Sequence, residues 1–277
     1  MSRKPQPLKS IGSLLLVGAG KMGGAMLDGW IARGLAPTRI VVIEPQPGKA
    51  LQALARRGLK LNPKGKIAAA AAAIVIAVKP QSAPDAVPPL RPYVGKTTLV
   101  LSIMAGRTIG FLEKSLPPNT AIVRAMPNTP ASIGRGISVA VGNAKVSARQ
   151  RKLAGHLLAA IGKVEWASDE TLMDAVTALS GSGPAYVFLL AEAMTKAGIS
   201  AGLPADLASR LARETVAGSG ELLHRSTLDA ATLRQNVTSP GGTTAAALEV
   251  LMGPGGFDEL LTKAIVAATR RSRQLAG

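Results

Sequence analysis

Flat apolar runs alternate with helical stretches through the first 130 residues, and that alternation limits the possible folds more than any other feature. Ser13–Val17, Ile40–Ile43, Ile74–Val78, Thr98–Ile103 and Ala121–Met126 are apolar at nearly every position rather than at every second one. A strand reads this way when both its faces are covered, as in a parallel sheet packed between helices. Helical stretches separate these runs at Met22–Arg33, Lys49–Arg57, Gln81–Leu90 and Thr108–Leu116. Strand, helix, strand, repeated, predicts an α/β fold with a doubly wound, Rossmann-type domain. A weaker strand at Gly136–Val141, a helix at Ala148–Ile161 and a short strand near Val164–Trp166 complete it. The alanine run Ala68–Ala73 is most simply a tightly packed helix.

Past Trp166 the strand signals stop. Asp169–Leu179, Pro184–Ala197, Pro204–Leu223, Asp229–Asn236, Thr244–Met252 and Phe257–Leu275 all carry helical spacing, several opened by Ser, Thr, Asp or Pro. The expected division is an α/β domain over residues 1–166 and an all-α domain over 167–277.

The first run ends in G-A-G-K-M-G, Gly18 to Gly23. After a buried strand and opening a helix, G-x-G-x-x-G is the phosphate turn of a dinucleotide site. Gly18 permits the tight turn, Gly20 lets the backbone approach a pyrophosphate, and Gly23 packs helix on strand. Glu44 ends the second run, where a carboxylate can accept from a ribose hydroxyl and should repel a 2′-phosphate. NADH, or dual use of NADH and NADPH, is therefore expected over strict NADPH dependence. Lys49, Arg56 and Arg57 lie nearby in sequence and soften that discrimination. Further candidates stand at the carboxyl ends of the later runs, where doubly wound sheets bind ligands: Ala77, Lys79 and Pro80 in A-V-K-P, and Asn128 and Pro130 in P-N-T-P.

A second glycine turn, S-P-G-G-T-T at Ser239–Thr244, precedes the apolar stretch Ala245–Met252. Paired glycines bring backbone close to a ligand, while three hydroxyls and the first helical amides supply donors to a small anion. The same pattern also suits a plain capped helix after a Pro-Gly-Gly turn. Ser180–Tyr186, S-G-S-G-P-A-Y, lacks the first glycine of a G-x-S-x-G nucleophile turn and has no strand before it. A helix N-cap with proline near the first turn is the better reading.

Composition narrows the chemistry. There is no cysteine, and His156 and His224 are the only imidazoles, so a disulfide framework and a metal enzyme are not expected. The longest apolar run, Ile67–Val78, is 12 residues, too short to span a bilayer. No signal peptide follows the basic N-terminus, and a soluble cytoplasmic protein is expected. Of the formal charge of +17, residues 1–166 hold 24 of 33 Lys and Arg and 5 of 16 acids, leaving 9 against 11 beyond them. That asymmetry suits an anionic partner. Nucleic acid is the remote alternative, disfavoured by only three Phe, two Tyr and two Trp for stacking and by the absence of any nucleic-acid motif.

Taken together, R-A-M-P-N-T-P-A (Arg124–Ala131), S-G-S-G-P-A-Y-V-F (Ser180–Phe188) and S-P-G-G-T-T resemble pyrroline-5-carboxylate reductases, with support from A-V-K-P and S-I-M-A-G (Ser102–Gly106). The resemblance implies reduction of the cyclic imine 1-pyrroline-5-carboxylate to proline by hydride from NADPH or NADH. It implies that Ser239, Gly241, Gly242 and Thr243 hold the substrate carboxylate and that Thr244 hydrogen-bonds the imine nitrogen as candidate proton donor. Gly18, Gly20, Lys21 and Met22 would contact the pyrophosphate, and Lys79, Asn128 and Pro130 the nicotinamide side. A homodimer through the helical domain is implied, extended in much of the family to decamers. Glu44 departs from the small hydroxyl or basic residue common there. The nearest rival is a related imine or β-hydroxyacid reductase on the same scaffold; the lysine such dehydrogenases place after their glycine turn is lacking here, the next being Lys196.

Overall fold

A computed structural model describes Leu8, residues 11–64 and residues 71–276. The remainder of the basic N-terminus and Ala68–Ala70 of the alanine run lie outside the described residues. Two compact units emerge, one formed by the chain up to Gly181 with Thr269–Gly277, the other by Ser182–Ala268.

The first unit holds an eight-stranded sheet: β1 Leu14–Val17, β2 Ile40–Ile43, β3 Lys60–Leu61, β4 Ala73–Ile76, β5 Leu99–Ser102, β6 Ala121–Met126, β7 Gly136–Gly142 and β8 Gly162–Trp166. Their order is β3-β2-β1-β4-β5-β6-β7-β8. The first six are parallel, β7 runs antiparallel to β6, and β8 is parallel to β7. The helices are α1 Lys21–Ala32, α2 Lys49–Arg56, α3 Ala83–Ala86, α4 Ile109–Ser115, α5 Ala148–Ala159 and α6 Met173–Val176. The flat runs have the cause expected of them. Leu14 and Leu16 of β1 enter one apolar core with Met26 and Trp30 of α1, while Leu15 and Val17 enter another with Leu112 of α4. Trp30 is fully buried and its indole N–H donates to the Leu157 carbonyl at 3.0 Å, pinning α1 to α5.

Several expectations change. β3 was not expected: two residues are too few to show a period. The stretch Gln81–Leu90 is not one helix, because Pro84, Pro88 and Pro89 leave only the single turn α3 between 3₁₀ segments. Ala73, assigned above to an alanine helix, opens β4 and is fully buried in the sheet. Asp169–Leu179 divides into a 3₁₀ turn, α6 and a π turn at Thr177–Gly181. Ser182 stands at the N-cap position before Pro184, but no side chain caps that helix, and the Ser180 hydroxyl is buried without a partner among the described residues. Asp229 caps its helix as read, accepting from Thr232 N, while Thr108 accepts from Phe111 N and Ser147 forms a capping box with Gln150.

The second unit is helical: α7 Gly183–Ser200, α8 Ala205–Arg225, α9 Ala230–Asn236, α10 Thr243–Met252 and most of α11 Phe257–Ala276. α7 and α8 form a hairpin around Gly202, whose φ of +98° lies in the left-handed region, and Gly198 sits against Ala208. Apolar side chains stay open on these helices, with Phe188 64%, Leu260 61% and Val250 77% exposed. Surface of this kind calls for a partner.

His156, near the end of α5, has its pKa lowered by burial, then by Lys152 and Arg33. The folded protein takes up a proton here less readily than the unfolded chain, whose imidazole charges as pH falls through the ordinary value of 6.5. Its contribution to stability is therefore present above that value and lost below it. Between pH 7.5 and 5.5, His156→Gln should lose less melting temperature than the parent protein. Equal losses in scanning calorimetry would remove His156 as a source of acid sensitivity.

Candidate functional site

At the carboxyl ends of β1, β2 and β4 a cleft of about 590 Å³ opens. β1 and β4 are where the strand order reverses, the place a doubly wound sheet leaves free for a ligand. The glycine turn forms its floor. Gly18 has φ +89°, and a Cβ there would meet the Ala77 carbonyl at 2.7 Å. A Cβ on Gly23 would run into the Gly18 carbonyl, so only glycine lets α1 lie this close to β1. Gly20 differs: a Cβ there would meet nothing within 4 Å. It is the N-cap of α1, and no side chain caps that helix start. An open glycine before uncapped first-turn amides fits a dinucleotide pyrophosphate.

Glu44 stands at the mouth. Its carboxylate accepts from Ala19 N at 2.7 Å and from Gln46 N at 3.0 Å. Of the candidates named from sequence, Gly18, Gly20, Glu44, Ala77 and Lys79 line the cleft. Lys21, Met22 and Gly23 form the first turn of α1 beside it, and Pro80 begins the next 3₁₀ turn, its carbonyl accepting from Arg107 Nε at 2.9 Å. Asn128 and Pro130 lie after β6, where the Asn128 side-chain oxygen accepts from Ile137 N at 3.0 Å and shapes the return into β7. Arg124, in the same motif, is 3% exposed, and its guanidinium meets Glu170 at 2.8 Å while the same carboxylate oxygen takes Ile109 N. Arg124 therefore ties β6 to the start of α4. Sequence reasoning missed Asp85 and Tyr93, which wall the far side of the cleft, and Asn62, which holds Glu44. The Asn62-Pro63 pair is the sole local hint, a turn signal without a stated role.

In the second unit, Ser239–Thr244 forms a turn into α10. Gly241 has φ +68°, Gly242 N donates to the Ser239 carbonyl at 3.1 Å, and Gly242 is the N-cap with no side chain capping the helix. Thr243 and Thr244 are its first two residues. A turn with uncapped amides, a helix dipole behind them and hydroxyls beside them can hold a carboxylate. Among the described residues no group of His, Asp and Glu could hold a metal ion, and no helix is long and apolar enough to cross a membrane.

An open cleft at the switch point of a doubly wound sheet, floored by a glycine turn, fits a nicotinamide-dependent oxidoreductase, and the comparisons place the chain in that class. Residues 13–106 match the family described as NADP oxidoreductase, coenzyme F420-dependent, and residues 170–275 match pyrroline-5-carboxylate reductase dimerisation. The chain is 40% identical over 266 residues to the pyrroline-5-carboxylate reductase of Pseudomonas aeruginosa, covering 95% of this chain and 96% of that one. The solved pyrroline-5-carboxylate reductase of Coxiella burnetii superposes with TM-score 0.89 at 35% identity, over 97% of this chain and 100% of that one. The Plasmodium falciparum pyrroline carboxylate reductase with NADP bound gives 0.79 at 29%, over 97% and 99%. This chain belongs to the pyrroline-5-carboxylate reductase family.

Proposed function

We propose that the chain reduces 1-pyrroline-5-carboxylate to L-proline, the last step of proline biosynthesis, with NADPH or NADH as reductant. The observation that carries this reading is family membership over nearly the whole length, in a chain that keeps both the open Gly20 cradle and the uncapped S-P-G-G-T-T helix start. Residues 1–166 serve as the dinucleotide-binding domain and 167–277 as the substrate-binding and dimerisation domain. The helical part matches the family's dimerisation domain, and the protein works as a homo-oligomer. We infer a homodimer through that part, able to assemble further into decamers, in the cytoplasm.

A nicotinamide held in this cleft would supply the hydride that the imine carbon takes up. The chain's own work is positioning. Gly18, Gly20, Lys21, Met22 and Gly23 would seat the pyrophosphate, Glu44 would face the adenosine ribose, and Ala77, Lys79, Pro80, Asn128 and Pro130 would border the nicotinamide. The amides of Gly241, Gly242 and Thr243 with the Ser239 hydroxyl hold the substrate carboxylate. Thr244 hydrogen-bonds the ring nitrogen and delivers its proton. Thr244→Ala should then lower kcat by roughly 100-fold with dinucleotide affinity unchanged, and Thr244→Ser should recover much of it. Equal turnover in all three proteins would remove Thr244 from the mechanism.

The test of the function is oxidation of NADH and NADPH, side by side, with racemic pyrroline-5-carboxylate. Substrate-dependent oxidation is expected, with NADH favoured or both used because of Glu44. No oxidation by a folded protein that binds dinucleotide would overturn the substrate, and a large excess of kcat/KM with NADPH would overturn the role of Glu44.

A further inference from the structure

We infer that Asn62, on the edge of the sheet beyond β3, is a positioning residue for cofactor choice: it locks Glu44 so that the carboxylate cannot swing away from a 2′-phosphate. The inference rests on the reading of Glu44 as the ribose-facing acid.

Asn62 sits with φ +43°, a left-handed conformation that asparagine adopts more readily than most residues. Its own N–H donates to the Val42 carbonyl at 2.9 Å, continuing the β2–β3 pairing one residue past Leu61. From there its side chain grips both backbone groups of Glu44. The amide nitrogen donates to the Glu44 carbonyl at 2.8 Å, and the amide oxygen accepts from the Glu44 N–H at 2.9 Å. The amide thus does for Glu44 what a neighbouring strand does for the residues before it. β2 ends at Ile43, so without this clasp Glu44 would begin a free loop, P-Q-P-G.

The consequence falls on the carboxylate. With the backbone held, one oxygen reaches Ala19 N in the glycine turn and the other reaches Gln46 N. Both oxygens are engaged, so rotation toward solvent gives up two charge-assisted hydrogen bonds. An acid free to turn outward tolerates a phosphate beside it. One fixed in place keeps its charge where the phosphate would lie and keeps its remaining lone pairs aimed at a ribose diol. Lys49, Arg56 and Arg57 do not line the cleft; the cation that does, Lys79, stands after β4 and not on the loop that follows Glu44.

The experiment compares KM and kcat for NADH and NADPH in the parent protein, Asn62→Gly, Glu44→Ala and the double variant. Glycine keeps the left-handed backbone while deleting the amide, and melting temperature checks folding. In Asn62→Gly the preference for NADH over NADPH should shrink about fivefold, through KM more than kcat, as expected for loss of a paired hydrogen-bond clasp. In the Glu44→Ala background the same change should leave the ratio untouched, because there is no carboxylate left to position. Asn62→Asp, which turns a repelling oxygen toward the Glu44 carbonyl, should shift the ratio at least as far as glycine does. If Glu44→Ala moves the ratio and Asn62→Gly does not, or moves it equally with and without Glu44, the inference about Asn62 is overturned alone. If Glu44→Ala leaves the ratio unchanged, the reading of Glu44 falls first and this inference with it.

Discussion

Gly20→Val should fold like the parent protein and lose dinucleotide affinity by about 100-fold or more, while Gly23→Ala should fail in the opposite order. The two glycines lie three residues apart in one motif but face different surroundings. At Gly20 a new Cβ meets nothing within 4 Å, and the backbone, with φ −65° and ψ −163°, is open to any residue. The free protein therefore pays almost nothing for the valine, and melting should move by no more than about 2 °C. The added methyls occupy the space from which first-turn amides reach a pyrophosphate, so the loss appears only with cofactor. At Gly23 a Cβ would strike the Gly18 carbonyl and crowd Ala77, both on backbone or well-packed sites that cannot turn aside. Alanine there should cost about 3 kcal/mol, a fall in melting temperature on the order of 10 °C. Fluorescence titration with NADH and a melting curve on each variant check both. Full affinity in folded Gly20→Val would mean that the turn does not seat the diphosphate.

Gly242→Val should raise KM for pyrroline-5-carboxylate by about 100-fold with dinucleotide affinity unchanged. A Cβ on Gly242 would come to 2.5 Å from the Ser239 hydroxyl and 3.2 Å from its carbonyl. The valine must push that hydroxyl out of the turn, and its methyls stand over the amides before α10. Two hydrogen bonds to a carboxylate, each worth about 1.5–3 kcal/mol, account for a loss of this size. The residue lies in the helical unit and the nucleotide cleft in the other, which makes NADH titration an internal control. An unchanged KM would separate the S-P-G-G-T-T turn from substrate binding.

Glycine arithmetic of this kind was half legible in the sequence. The motif placed Gly18 and Gly20 on the turn between β1 and α1 and Gly23 in the first turn of α1, because the strand and helix periods on either side are local. Which glycine faces empty space and which faces a carbonyl depends on where β4 lies, and β4 arrives about 50 residues later. The proline-rich stretch after Lys79 had helical spacing, yet proline chemistry overrode the period and made a cleft wall containing Asp85 and Tyr93. Arg124 stood in the most distinctive motif and proved to be a buried tie to Glu170, 46 residues further on. No local pattern announces such a partner.

By itself the sequence determined the class of fold, the place of the glycine turn after β1, the helical second part and the family, since each is written in short-range periods and motifs. Tertiary structure alone decided how Glu44 is held. Gln46 is a local partner two residues on, but Ala19 and Asn62 lie 25 and 18 residues away and meet Glu44 only when β1, β2 and β3 pair. Hydrogen bonds are short and directional, so which groups meet is set by strand register and not by spacing along the chain.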